Sequence, residues 1–226
     1  MNATIAEIMG TRTVTNGRAK FDLNSNVSAD EGEHLARWLA EIKPDNYLEV
    51  GLAYGISALY AGTTLKGINK NYRHLIIDPV QSEAWHDVGV YNLRQADLWQ
   101  NVEFHAKGSE VALPEIMNSG TRLQAAFIDG WHTFDHALID FFYINRMLDK
   151  GGIIVFDDAN WPAITKLIRY VLRYPAYEFY AGSRLNVMRS VGRDLLGGRM
   201  PRLMPSMVAV RKIADDQRSW DWYGSF

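Results

Sequence analysis

One unit recurs along this chain: a short apolar run, closed by an acid or a glycine, then a segment with helical period. Tyr47–Val50, His74–Asp78, Val102–His105, Gln124–Ile128 and Ile153–Phe156 are the runs. Strands alternating with helices at this spacing require an α/β fold: an open, mostly parallel sheet with helices on both faces. The run at 153–156 (IIVF) shows no polar alternation, as a strand buried on both faces demands. In such sheets a ligand binds outside the carboxyl ends of the strands, where the strand order reverses. Those ends carry Glu49 and Gly51, Asp78, Gly108 with Ser109, Asp129, and Asp157 with Asp158. Acids at four of five ends exceed what strand termination needs.

The central unit is YLEVGLAYGIS, residues 47–57. Glycine permits positive φ and close approach of another group to the backbone. A strand, a glycine turn at Gly51 and Gly55, and a helix N-terminus form a crevice for a small polar ligand. The dinucleotide fingerprint GxGxxG is absent, which disfavours a nicotinamide-dependent oxidoreductase.

Before this unit, residues 1–27 read as an N-terminal extension with room for one short helix. Ser28 and Glu31 form a capping box that starts a helix, with Leu35, Trp38, Leu39 and Ile42 on one face and Pro44 after it. The helix after the glycine turn is expected to reach about Leu65, with Gly67 stopping it. Ser82 is read as the cap of a helix holding Trp85, Val88 and Leu93, and Leu113–Met117 as a short helix. Thr133 caps a helix whose stripe is Phe134, Leu138, Phe141, Phe142 and Leu148, with Gly151 and Gly152 ending it. Pro162 opens another, with Ile164, Leu167, Ile168, Val171 and Leu172 in helical period. Further strands are expected at Tyr177–Ala181, Leu185–Val191 and Met207–Lys212. The main domain spans 28–213, and 214–226 is a tail.

A chain of 226 residues, 47% hydrophobic and 22% charged, suits a single domain of this kind. Its net charge of −2 gives no reason to expect nucleic acid or an anionic membrane as partner. Without cysteine there is neither a disulfide framework nor a Cys-based zinc site. No secretory signal or bilayer-length apolar run is seen, so a cytoplasmic location is expected.

The pattern over about residues 28–212 resembles the class I S-adenosylmethionine-dependent methyltransferases, whose fold is a Rossmann-like, mostly parallel seven-stranded sheet. LEVGLAYG looks like that family's first motif, with Ala53 where many members carry glycine. The resemblance implies cofactor contacts at Glu49, Gly51, Ala53, Tyr54, Ser57, Asp78, Ser109, Glu110 and Asp129. Asp78 would bond the ribose diol, since a carboxylate accepts and the diol donates twice. Glu49 would meet the methionine ammonium, and Gly108–Ser109–Glu110 the adenine edge. FIDGWHTFDHALIDFFYINRMLDKGGIIVFDDANW, residues 127–161, is similar to the metal-dependent O-methyltransferases of catechol and macrolide-sugar type. It implies Mg2+, or another divalent cation, on Asp129, Asp157 and Asp158, with the acid at 158 matching the sugar type. A hard cation with oxygen ligands would lower an acceptor hydroxyl's pKa and orient it. His132 lies where the catechol type has a lysine base.

Each residue also has a plainer reading. Asp129 alone could be a turn acid, and His132 a metal ligand, a group behind the ligands or a loop residue. Trp131 and Trp161 could be pocket walls or core. Arg184, Arg189, Arg193, Arg199 and Arg202 could meet an anionic substrate or a solvated face. The expected function is O-methylation of a hydroxylated small molecule, in a protein able to form homo-oligomers. A metal-free methyltransferase with His132 as sole base, and a noncatalytic protein that kept the fold, are the alternatives.

Overall fold

The computed structural model describes residues 2–183 and 205–224. Its elements are α1 (Ala3–Thr11), β1 (Thr13–Thr15), β2 (Lys20–Asp22), α2 (Ala29–Ile42), β3 (Asn46–Val50), α3 (Ile56–Ile68), β4 (Arg73–Ile77), α4 (Val88–Gln95), β5 (Val102–His105), α5 (Ser109–Asn118), β6 (Leu123–Ile128), α6 (Phe134–Met147), β7 (Leu148–Phe156), α7 (Pro162–Val171), β8 (Tyr177–Gly182) and β9 (Val208–Lys212). The main sheet has seven strands in the order β5-β4-β3-β6-β7-β9-β8. The first five run parallel; β9 pairs antiparallel with both β7 and β8.

Alternation along β3 divides the interior. Tyr47 points into one core with α2, α3 and α4 residues, such as Leu39, Leu59 and Leu93. Leu48 and Val50 point into the other, with Leu113, Phe141 and Leu167 from α5, α6 and α7. The strand order reverses between β3 and β6, so the loops after these two strands part there. Gly51 makes the parting possible. Its φ is +92°, and a Cβ there would lie 2.1 Å from the Asp129 carbonyl oxygen. Gly55, at φ +77°, then turns the chain into α3.

Several local expectations shift. Residues 1–27 form α1 and a β1–β2 hairpin, not one helix alone. α3 continues through Gly67 to Ile68. The helix expected from Ser82 begins at Val88, because His86 and Asp87 adopt positive φ (53° and 58°) and turn the chain first. Trp85 therefore lies ahead of it. α5 is longer than expected, starting at Ser109. Gly151 and Gly152 do not end α6; the helix stops at Met147 and passes directly into β7, which contains both glycines. Leu148 accordingly belongs to the strand, and Phe142 is 45% exposed with the Arg146 guanidinium over its ring. The strand expected at 185–191 and the five arginines from 184 to 202 lie outside the described residues.

Candidate active site

The strand-end acids stand in one row because backbone bonds continue the sheet past its ends. Asp129 N donates to Val50 O (2.9 Å), Asp157 N to Ile128 O (3.1 Å) and Asp78 N to His105 O (3.1 Å). Beside this row opens a cavity of about 490 Å³. One wall is the glycine loop and the start of α3: Leu52, Ala53, Tyr54, Ile56 and Ser57. Its floor is Asp129, Gly130, His132, Asp157 and Asp158. The third wall is Asn24, Ser25, Asn26 and Val27 with Glu31, and Trp85 completes the rim. The site thus unites Ala53, Tyr54, Ser57, Asp129, His132, Asp157 and Asp158, as expected from sequence.

The electrostatics are one-sided. Four carboxylates line this cavity, and His132 is the one basic side chain among its described residues. His132 Nε2 lies 3.3 Å from both Asp129 Oδ1 and Asp158 Oδ2, and its ring packs 5.3 Å from that of Trp161. The hydrogen bond to Asp129 is the main cause holding the imidazole above its ordinary pKa. Burial pushes the Asp129 carboxyl up to about 6 against the opposing pull of His132. Burial, then Asp129, Glu31 and Asp158, push Asp157 well above the carboxylate range. Such a set of hard oxygen donors is of the kind a divalent cation takes. Even so, among the described residues no three His, Cys, Asp or Glu side chains are disposed to enclose a metal ion. His132 occupies the space between Asp129 and Asp158.

Glu49, Asp78, Ser109 and Glu110 do not line the cavity. Glu49 is fully buried; its carboxylate accepts from the Ser57 hydroxyl and pairs with His74 Nε2 at 2.9 Å. It reaches the cavity only through Ser57, because β3 turns it toward α3. The Asp78 carboxylate ties down the glycine loop. Oδ2 accepts from Leu52 N (3.1 Å), Ala53 N (3.0 Å) and Gln81 Nε2 (3.1 Å), and Oδ1 from Val80 N (2.9 Å). Trp131 and Trp161 are 66% and 47% exposed, so they are surface residues and not core, and neither lines the cavity. His136 bonds Thr133 Oγ1 at 2.9 Å, away from the row of acids.

Sequence reasoning missed Asn24–Val27 and the second role of Glu31. Glu31 closes the capping box with Ser28 N and Oγ (2.7 Å each), and the Ser206 hydroxyl also donates to it. A signal for it existed. A helix that leads into a parallel strand runs antiparallel to it, so the N-terminus of α2 falls at the carboxyl edge of the sheet.

A doubly wound sheet with a glycine loop and an acid row at its reversal point defines the class I methyltransferase architecture. Residues 48–159 match the family model described as a methyltransferase domain. Over that stretch the chain carries a methyltransferase domain. Solved structures agree in fold. The O-methyltransferase from Bacillus cereus, in complex with SAH, is 18% identical with a TM-score of 0.67, over 94% of this chain and 91% of that one. The O-methyltransferase TomG from Streptomyces achromogenes, involved in tomaymycin synthesis and in complex with SAM, is 14% identical with a TM-score of 0.66, over 95% and 91%. No curated protein sequence matches significantly. Among the described residues no helix is long and apolar enough to cross a membrane.

Proposed function

We propose that this enzyme transfers the methyl group of S-adenosylmethionine to a hydroxyl of a small polar molecule, with Asp129, Asp157 and Asp158 holding a divalent cation, Mg2+ in the first instance. The observation that carries the reading is the convergence of these acids beside the glycine loop, at one edge of a cavity of about 490 Å³. When bound, the cation would supply Lewis acidity that lowers the pKa of the acceptor hydroxyl.

The chain's own groups do the rest. The glycine loop and Ser57 seat the methionine end of the cofactor, and Asp78 fixes that loop while Oδ1 keeps a lone pair for the ribose. Asn24, Ser25 and Asn26 offer amides and a hydroxyl to a hydroxylated acceptor, a sugar or polyol-bearing metabolite. Holding oxygen and methyl carbon in line supplies much of the rate. His132, steered by Asp129, takes the hydroxyl proton.

One observation favours a second reading: His132 already bridges Asp129 and Asp158, the arrangement of an imidazole base oriented by carboxylates without a cation. Transfer measured on a panel of hydroxylated acceptors, with Mg2+ and with excess chelator, separates the two. Loss of activity in chelator is expected. Full activity in chelator, lost in His132→Ala, would select the metal-free mechanism.

A further inference from the structure

Behind the cavity wall, Ser57, Glu49 and His74 form a line of hydrogen bonds to which the transfer step assigns no task. Ser57, in the first turn of α3, lines the cavity. Its hydroxyl donates to Glu49 Oε1, and Glu49 Oε2 pairs with His74 Nε2 at 2.9 Å. Glu49 and His74 are both 0% exposed. The sheet brings them together: β3 and β4 run parallel with Tyr47 opposite His74, so Tyr47, Glu49 and His74 share one face. The Tyr47 ring lies 4.8 Å from the imidazole. The order differs from that of a nucleophilic triad, because the carboxylate and not the imidazole meets the hydroxyl. His74 does not line the cavity. The line orients a hydroxyl; it does not activate one.

Each proton in it has a single destination. A carboxylate accepts only, so both of its neighbours donate to it. His74 Nδ1 is buried with no hydrogen-bond partner. A proton there would be an unpaired buried donor, so the ring proton belongs on Nε2, where Glu49 Oε2 takes it. Oε1 is left for Ser57, whose only proton is spent on it. Toward the cavity the Ser57 oxygen then has lone pairs alone. We propose that Glu49, its direction fixed by His74, is a positioning residue that makes Ser57 an acceptor-only contact, which takes the ammonium of the cofactor's methionine end and turns away its carboxylate. The inference rests on that end lying at Ser57, as the functional reading above has it. Both groups sit on one carbon, so the choice between them sets how the methionine end is turned in the cavity. The Glu49 carboxylate lies directly behind the hydroxyl and is shielded from water, which adds to the preference for a cation.

The test is calorimetric titration at neutral pH with S-adenosylhomocysteine, its analogue without the amino group and its analogue without the carboxylate. The proteins are the wild type, Ser57→Ala and Glu49→Gln. In the wild type, loss of the amino group should weaken binding by on the order of tenfold or more. In Ser57→Ala that loss should shrink several-fold, while the loss on removing the carboxylate stays as in the wild type. Glu49→Gln should go further. His74 Nε2–H holds the amide oxygen, the amide NH2 donates to Ser57, and the serine proton turns into the cavity. The analogue without the amino group should then bind at least as well as S-adenosylhomocysteine. A residue that only packs the wall would weaken all three compounds alike and leave the ratios unchanged. Should Glu49→Gln fail to fold, Ser57→Ala decides alone. An amino-group loss of full size in folded Ser57→Ala, or a shrinking carboxylate loss in its place, overturns the inference and leaves the cofactor reading standing. Failure of the wild type to bind S-adenosylhomocysteine overturns both.

Discussion

At the scale of single residues, the fold tolerates buried charge and backbone strain both in the site and away from it. Asp140, buried on α6, shows the cost. Its folded pKa of about 6 lies above the ordinary value of 3.8, so the folded protein takes up this proton before the unfolded chain does. The group therefore destabilises the fold above about pH 6, by on the order of 3 kcal/mol, and the penalty fades as pH falls toward 4. Urea denaturation should show Asp140→Asn more stable than the wild type at pH 8, with the gap narrowing by pH 5. Ala53 is a second case. It takes φ +47°, a left-handed conformation unfavourable for any residue with a Cβ. Ala53→Gly should leave stability unchanged or raise it by up to ~1 kcal/mol, read from the urea midpoint. Asp157→Ala should lower transfer on the order of 100-fold or more with the circular dichroism unchanged. What sequence could show at this scale was which strand ends carry acids. It could not show where they point. Glu49 lies one residue before the end of β3, and that single step turns it from the cavity toward Ser57 and His74. Asp78 sits at its expected place, yet much of its bonding capacity goes to loop N–H groups that no pattern of residue types reveals.

At the scale of elements, apolar runs and caps were the legible part. The inner parallel strands could be read because they are buried on both faces and bounded by turn residues, and α2 and α7 because a capping box and a first-turn proline mark their starts. The errors fall where the chain uses unusual backbone. Two consecutive non-glycine residues at positive φ, His86 and Asp87, delay α4, and a direct helix-to-strand passage at Met147–Leu148 places two glycines inside a strand. The α2 cap does double duty. Ser28→Ala should cost about 1 kcal/mol of stability by thermal melting. Glu31→Gln preserves the cap, since glutamine also closes a capping box, yet removes one negative charge beside Asp157. It should leave the melting point within about a degree at low ionic strength or raise it, while weakening Mg2+ binding in a direct titration.

At the scale of the whole molecule, the cavity is assembled from stretches far apart in the chain. Four carboxylates at one edge of the sheet concentrate negative potential there despite a net charge of only −2. A cation that binds the native cluster and not the unfolded chain must stabilise the fold. Millimolar Mg2+ should therefore raise the melting temperature of the wild type, and Asp157→Ala should abolish the rise. The walls themselves divide by origin. Residues 51–57 and 129–132, to which the proposed function gives the cofactor, belong to the loops after β3 and β6 and the start of α3. Residues 24–27 form a strap that leaves the β1–β2 hairpin and enters α2, pinned at either end by the buried side chains of Leu23 and Val27. Three polar residues between two apolar anchors are free to vary in identity without disturbing what holds them. On the proposed function, acceptor choice would be heritable apart from methyl-donor chemistry: a lineage could exchange this strap for another and change its product while every group that handles the donor stays in place.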